Sequence, residues 1–378
     1  MDPAKNHIVI TGLAAISAAG IGTEALREAV KRGESLLQPI PEEVIGQSGH
    51  FWARADAFRA ADFMPPLKAR KFDRCSLLAV VAAGMALKDA GIVAGSLEPT
   101  RIGIVLGCGL GGIANADEFL RGYFTSGAEG LQPMLFPNVV PNASASNASI
   151  EHGLKGPNVT VIQRFCSAES AFHMARRFLE EDRADVILTG GVDEVFPAML
   201  NCFKAMGQLR SFGANFGEGA GILVLEREQH ARNRKAQILA GAAGVRTIGR
   251  PAPGAHEEGY DRLLPEPCTA DLLSLSGTAT TDKWLLGHLP ELPRLDIAPV
   301  LGRSLAMGGL AMAALVLMLK EGETGLHVAA SPEGPYYAID ILGGDPVRSW
   351  SVCLSSPSPA VSLHRQVSDP GFRGGSDR

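Results

Sequence analysis

The sequence has few charged residues, few aromatic residues and few cysteines for its length. Of 378 residues, 20% are charged and 6% aromatic, whereas 46% are hydrophobic, and this balance argues against an intrinsically disordered chain. The six cysteines are scattered and form no CxxC pair, so the sequence favours neither a disulfide scaffold nor a structural zinc site. The formal net charge of −5 provides no electrostatic footprint for nucleic acid.

Long apolar runs and common cofactor motifs are also absent. No stretch approaches the roughly 18 uninterrupted apolar residues of a membrane span, and the N-terminus enters a strand pattern without a charged-then-apolar leader. The sequence contains no HExxH and no GxxxxGK[ST] motif, and no GxGxxG motif with a ribose-binding acid, so metal and nucleotide sites find little support. We therefore expect a soluble, reduced, cytoplasmic protein.

The sequence does contain an alternation of buried strand patterns and amphipathic helix patterns. Strands are predicted at 7–11, 101–106, 158–162, 184–189, 221–225, 236–243, 272–275, 337–342 and 350–354. The clearest helix patterns cover 70–90 and 304–320. Strands alternating with helices predict an α/β layered fold.

Several stretches between residues 7 and 234 resemble the β-ketoacyl synthase (condensing enzyme) family. They are 7–22, 68–91, 101–112, 135–161, 184–195 and 216–234. Each stretch is only moderately specific, but together and in this order they form a strong match. The resemblance implies a thiolase-like fold of five layers (αβαβα) from two pseudo-repeated halves, 1–230 and a shortened 231–366, with a flexible tail at 367–378. It also implies a dimer formed through the segment before the nucleophile strand.

Active members of this family need a cysteine at the N-terminus of a buried helix, where the helix dipole favours the thiolate. They also need two histidines, which assist decarboxylation and stabilise the enolate. By resemblance, the nucleophile slot falls on Phe165 in QRFCSAESA, and the histidine slots on Ser276 in SLSGTATT and near Gly308 in GRSLAMGG. The family's closing GFGG turn, one source of its oxyanion hole, is replaced by SSPSPAV at 355–361, a fourth loss. No catalytic side chain is therefore expected to be intact.

Two alternatives remain open from the sequence. A one-residue bulge would return Cys166 to the nucleophile slot of a divergent β-ketoacyl synthase or acyltransferase, with His173 or His288 as the base. This bulge repairs only one of the four losses, and the favoured interpretation of either histidine is an ordinary partly buried imidazole. The second alternative is a scaffold that never touches the acyl chain.

Family members that lack the cysteine include the chain-length factors of type II polyketide synthases. The resemblance implies the same role here: a non-catalytic subunit that heterodimerises with an active ketosynthase and shapes the acyl-chain tunnel in polyketide or fatty-acid-type biosynthesis. Aromatic-polyketide members commonly have glutamine in the slot, whereas this chain has Gln163 two positions early and Phe165 in place. A phenyl ring, which buries about 150–250 Å², is large enough to plug the channel. No cofactor is implied, because phosphopantetheine arrives on an acyl carrier protein.

The resemblance also implies two sets of contact residues. The tunnel-gating positions match Leu110, Met134, Leu135, Phe136 and Phe165, with plain core packing as the alternative for all but Phe165. The positions that would dock an acidic acyl carrier protein match Lys68, Arg70, Lys71 and Arg74, with an ordinary solvated helix face as the alternative.

Overall fold

The computed structural model describes residues 7–250, 261–264, 268–280, 287, 289 and 291–346. The strands are β1 (Ile8–Ser17), β2 (Gly20–Ile21), β3 (Gln38–Pro39), β4 (Phe51–Ala53), β5 (Ile102–Cys108), β6 (Asn158–Val161), β7 (Val186–Asp193), β8 (Asn215–Gly217), β9 (Gly219–Arg227), β10 (Ala240–Ile248), β11 (Leu272–Gly277), β12 (Arg294–Leu295), β13 (Thr324–Ala330) and β14 (Tyr336–Gly343). The helices are α1 (Thr23–Arg32), α2 (Glu42–Ile45), α3 (Pro66–Ala69), α4 (Arg74–Asp89), α5 (Ile113–Ser126), α6 (Ala143–His152), α7 (Ser167–Glu180), α8 (Pro197–Ala205), α9 (Glu228–Asn233), α10 (Ala298–Leu301) and α11 (Gly308–Met318).

The large sheet repeats one strand pattern. Its first half runs β1-β9-β7-β5-β6 and its second half runs β10-β14-β13-β11-β12. In each half the first two pairings are antiparallel and the last two are parallel. The halves meet where Ile8–Ile10 of β1 pairs antiparallel with Ala240–Ala242 of β10. The repeat expected from the sequence is therefore present in strand order and direction.

Helices cover the sheet in layers. On one face of the first half, α4 and α6 pack over an apolar cluster formed with β1, β5, β7 and β9. On the other face, α7 lies on β5 and β7, and α11 contacts strands of both halves. Over the second half, Leu263, Leu264 and Leu289 cover β11 and β13, although much of that segment lies outside the described residues.

Helix α11 approaches the sheet unusually closely because glycines line the contact. A β-carbon at Gly309 would lie 2.3 Å from the backbone nitrogen of Gly191 and 2.4 Å from the carbonyl oxygen of Gly221. Any larger side chain at Gly309 would therefore push the helix off β7 and β9. This close contact places the first residue of α11, Gly308, beside α7.

Predicted and observed element bounds differ by a few residues. The helix predicted at 70–90 begins at Arg74, because the Asp73 carboxylate accepts a hydrogen bond from the Ser76 backbone N–H at 2.9 Å and caps the helix there. The strand predicted at 236–243 lies four to five residues later, as β10. The predicted boundary at 230 falls within α9, between β9 and β10. The predicted strand 350–354 and tail 367–378 lie outside the described residues.

No helix in the described part of the chain combines the length and the hydropathy that crossing a bilayer requires.

A small second sheet, β3-β4-β8, lies apart from the large one. Together with α8 and the start of α7, this small sheet surrounds the cluster of side chains in which the predicted nucleophile slot lies.

Candidate functional site

The predicted nucleophile slot lies at the start of α7, directly after β6. A short 3-10 turn, Arg164–Cys166, joins the two elements. Arg164 adopts a φ of +53° in this turn, a left-handed conformation that is uncommon for a residue other than glycine. The side chain of Phe165 is only 1% exposed, so the slot is filled by a buried phenyl ring.

Phe165 belongs to a cluster of aromatic rings, which we call the aromatic plug: Phe165, Phe203, Phe212 and Phe216. The ring centroid of Phe212 lies 5.0 Å from that of Phe165, 4.9 Å from that of Phe203 and 4.7 Å from that of Phe216. Aromatic pairs at these separations are favourable beyond the area they bury. The sequence analysis identified only Phe165; the three phenylalanines between 203 and 216 could have indicated the rest.

The two predicted histidine slots, Ser276 and Gly308, both lie beside one buried carboxylate, that of Glu169 on α7. The Ser276 hydroxyl of β11 donates a hydrogen bond to Glu169 Oε1, and His327 Nε2 of β13 lies 2.9 Å from the same oxygen. On its other side, His327 Nδ1 lies 3.0 Å from the hydroxyl of Ser274. A β-carbon at Gly308 would lie 1.9 Å from Glu169 Oε1. The carboxylate therefore occupies space into which a side chain at position 308 would have to extend.

The sequence analysis missed Glu169 and His327. Neither aligns with a catalytic position of the family, and β13 can be brought beside α7 only once the fold is known. Both side chains are completely buried, which is rare for charged residues unless they have partners. The one available signal was an acidic residue in the otherwise small and apolar start of α7, SAESAF.

Cys166, the alternative nucleophile, lies in a different environment from its neighbour Phe165. Its thiol is buried against Ala329 and Tyr337 and donates a hydrogen bond to the Pro335 carbonyl oxygen at 3.3 Å. Burial raises the pKa of the Cys166 thiol well above its ordinary value, and the carboxylate of Glu169 raises it further. A thiol held protonated in this way is a poor nucleophile.

The structure gives little support to the two histidines suggested as the general base for Cys166. His173 is half-buried on α7, with its ring centroid 6.3 Å from that of Tyr337. Burial lowers the pKa of His173, and the neighbouring Arg176 and Arg177 lower it further. His288 and the segment 355–361 lie outside the described residues.

A turn other than 355–361 lies beside the predicted nucleophile slot in the described part of the chain. It connects β13 to β14 and covers residues 331–335. Its Pro335 carbonyl is the oxygen that accepts from Cys166, and its Glu333 carboxylate lies 3.9 Å from the Arg164 guanidinium. This turn, which the sequence analysis did not single out, closes one side of the site.

The residues predicted to gate the tunnel differ in burial. Leu110 packs against the aromatic plug and lines a small pocket with Asp193, Glu194 and Arg303. In contrast, Met134 is 70% exposed and Phe136 61% exposed, with Leu135 half-buried between them. Plain core packing, the alternative given for these positions, is therefore wrong for Met134 and Phe136.

The basic residues predicted to dock a carrier protein divide into two groups. Arg70 and Lys71 are exposed, and Lys68 is paired with Glu151. Arg74 is engaged within the chain, because its guanidinium binds the buried Glu218 carboxylate (Nε to Oε2 3.0 Å, Nη2 to Oε1 2.6 Å), although its side chain stays 30% exposed. Helix position alone does not show that Arg74 pairs with a buried acid, and the docking role of these four residues stays a prediction.

Two buried acids lie next to the pocket. Asp193 accepts hydrogen bonds from the backbone N–H groups of Gly109 and Ala306, both at 2.7 Å, and so connects the glycine-rich loop to the segment before α11. Burial raises the pKa of Asp193 to about 6 and that of Glu194 to about 7.

Among the described residues no group of His, Cys, Asp and Glu is arranged to hold a metal ion.

Comparisons with known proteins place the chain among β-ketoacyl synthases. Residues 5–231 match the family "Beta-ketoacyl synthase, N-terminal domain". The 3-oxoacyl-[acyl-carrier-protein] synthase 2 of Staphylococcus aureus (strain COL) is 28% identical over 305 residues, which cover 73% of this chain and 74% of the relative. Nodulation protein E of Rhizobium sp. (strain N33) is 31% identical over 251 residues, 63% of this chain and 62% of the relative.

Solved structures share the fold at low sequence identity. The ishigamide ketosynthase/chain length factor superposes with a TM-score of 0.77 at 23% identity, over 90% of this chain and 100% of that chain. A chain from the complex of a type II PKS acyl-carrier protein with its ketosynthase superposes with a TM-score of 0.75 at 21% identity, over 89% and 99% of the two chains. The thiolase-like fold expected from the sequence is thereby confirmed. Since the family match covers more than half of its length, the chain belongs to the β-ketoacyl synthase family.

Proposed function

We propose that this chain is a non-catalytic ketosynthase-like subunit of the chain-length-factor type, which heterodimerises with an active ketosynthase and shapes the tunnel for the growing acyl or polyketide chain. The observation that carries this proposal is Phe165, a buried ring at the helix N-terminus where active family members need a cysteine. Phenylalanine has no group that can be acylated. The two histidine slots, Ser276 and Gly308, support the proposal because neither supplies an imidazole.

Exposed apolar side chains and an edge strand of the large sheet support a partner subunit. Strand β6 is the last strand of the first half, so one of its edges lacks a neighbouring strand among the described residues. Large apolar side chains are exposed on α5, on the segment after it, on α6 and directly after β6: Leu120, Tyr123, Phe124, Met134, Phe136, Val140, Ile150 and Ile162. Exposed strand edges and exposed apolar patches are typical of protein interfaces. A second subunit placed here would bring Met134 and Phe136 against that subunit rather than into this chain's own core.

Because the nucleophile slot of this chain is filled, the two subunits of the proposed heterodimer would have different roles. The aromatic plug occupies the position that an acyl group would need in this chain, so the partner's cysteine becomes the only acylation site. Carrier protein would reach the pair through the partner and, in this proposal, also through the exposed Arg70 and Lys71, whose positive charge suits an acidic protein.

Co-expression with a ketosynthase that retains its cysteine and both histidines tests the proposal. We expect the two chains to co-purify and the Leu110→Ala, Leu135→Ala and Phe136→Ala variants to shift the products toward longer chains. Val93→Ala, at an exposed position in the loop after α4, serves as the matched control and should leave chain length unchanged. An intact complex whose products keep their length in all three variants would instead support the scaffold alternative.

The competing function is a divergent β-ketoacyl synthase or acyltransferase that uses Cys166. Its burial, its hydrogen bond to Pro335 and its raised pKa all disfavour thiolate formation. Incubation of the purified chain with acyl carrier protein thioesters, followed by intact-mass measurement, should give no stable adduct. An acyl adduct that disappears in Cys166→Ala would overturn the non-catalytic assignment.

A further inference from the structure

We propose that Glu169 is a second barrier to acylation, independent of Phe165: its carboxylate fills the space beside Gly308 and would suppress a thiolate at position 165. The inference rests on the proposed non-catalytic function and extends it to a residue outside the family's catalytic positions. It predicts that restoring a cysteine at 165 is not enough to restore a reactive nucleophile.

The Glu169 carboxylate blocks the space beside Gly308. The ideal β-carbon of a side chain at position 308 lies 1.9 Å from Glu169 Oε1 and 2.8 Å from Oε2, both far inside van der Waals contact. The carboxylate is held there by the Ser276 hydroxyl and by His327 Nε2. An imidazole at 308 would therefore have to displace a carboxylate that two neighbours hold in position.

A negative charge on Glu169 would also disfavour a thiolate at position 165. Glu169 lies in the first turn of α7 and follows position 165, which lies in the 3-10 turn before this helix, by four residues, so we take a charge separation on the order of 6 Å, the spacing of side chains about one turn apart. Its Oε2 atom is buried and has no hydrogen-bond partner among the described residues, so part of its charge is not offset by a donor. At an effective dielectric constant of about 20, two negative charges about 6 Å apart disfavour the second one by about a hundredfold.

Other charged groups near the slot act in both directions. His327 on β13, when protonated, and Arg164 in the preceding turn would favour a thiolate, whereas Glu333 on the 331–335 turn would disfavour it. Because these groups offset one another in part, we expect a net suppression of about tenfold to a hundredfold. The neighbouring Cys166 already shows the same influence, since burial raises its pKa most and Glu169 is the larger of the two carboxylate causes that raise it further.

Cysteine alkylation in the isolated full-length chain tests the electrostatic part. In a Cys166→Ala background, Phe165→Cys and Phe165→Cys/Glu169→Gln are treated with iodoacetamide from about pH 6 to about pH 10, and labelling at position 165 is followed by peptide mass. Glutamine keeps the shape and can still bond Ser276. We expect the Gln variant to react about tenfold to a hundredfold faster near neutral pH, with its pH midpoint shifted down. Identical pH profiles in the two variants would overturn the inference, and Glu333→Gln, as the matched control, should change the rate much less.

A thermal unfolding cycle tests the spatial part without a reactive thiol. Gly308→Ala should lower the Tm of the wild-type chain, and should lower it less in a Glu169→Ala background, where the space is free. Equal shifts in both backgrounds would contradict the inference.

Both assays omit the partner subunit, so their failure leaves the proposed function intact. Unchanged product length combined with the expected thiol profiles would overturn the proposed function alone.

Discussion

Replacing Phe165 with alanine removes a phenyl ring from the aromatic plug, and we expect the free energy of unfolding to fall by about 3 to 5 kcal/mol. The side chain is 1% exposed, so nearly all of its transfer free energy is lost, and the surrounding rings can only partly close the cavity. Its closest ring partner is Phe212, with centroids 5.0 Å apart. The change is measured by urea unfolding of the full-length chain.

A double-mutant cycle separates ring contact from simple burial. If Phe165 and Phe212 interact as a pair, the Phe165→Ala/Phe212→Ala variant should cost less than the sum of the single variants by about 0.5 to 1.5 kcal/mol. Phe63→Ala is the matched control, since that ring is 43% exposed and should cost far less. A loss below about 1 kcal/mol for Phe165→Ala, or strict additivity with Phe212→Ala, would refute the view that a packed plug fills the slot.

Three further predictions follow from the charged residues. Charge reversal in Arg70→Glu/Lys71→Glu should slow association with acyl carrier protein several-fold at low salt and converge with wild type at high salt; equal rates in stopped-flow measurements would assign docking to the partner subunit. Arg74→Ala should instead destabilise the chain by about 3 kcal/mol, because it leaves the Glu218 carboxylate buried without its counterion; an unfolding curve unchanged from wild type would contradict this. Burial raises the pKa of Glu194 from 4.5 to about 7, so the folded chain binds more protons than the unfolded chain between those values and loses stability as pH rises through them. Glu194→Gln should therefore be more stable relative to wild type at about pH 8 than at about pH 5, by up to about 3 kcal/mol, and an equal difference at both pH values would show that Glu194 does not titrate in this range.

Much of the fold was predictable because it depends on short-range patterns. Alternating strands and helices, together with the family motifs, are local features of the sequence, and they predicted the layered fold, its internal repeat and the position of Phe165. Element ends were less accurate, since caps such as Asp73 decide where a helix begins.

The interior of the site could not be predicted in the same way. Glu169 and His327 are 158 residues apart in the sequence and meet only because the two halves pack face to face across α7 and α11. Arg74 was assigned to the surface because a helical pattern does not show that a buried acid, Glu218, lies beside one face. Contacts of this kind depend on tertiary packing, which a single sequence does not encode in its periodicity.

The hydrogen bonds of Glu169 join the two repeats. Glu169 lies on α7 of the first repeat, whereas Ser276 and His327 lie on β11 and β13 of the second. Among the described residues of the large sheet, the repeats share the short pairing of Ile8–Ile10 with Ala240–Ala242. The Glu169 carboxylate therefore acts as a non-covalent cross-link between the duplicated halves. If the chain is the non-catalytic subunit proposed above, this region need not stay open for a substrate, and the same bonds can serve to hold the two halves together.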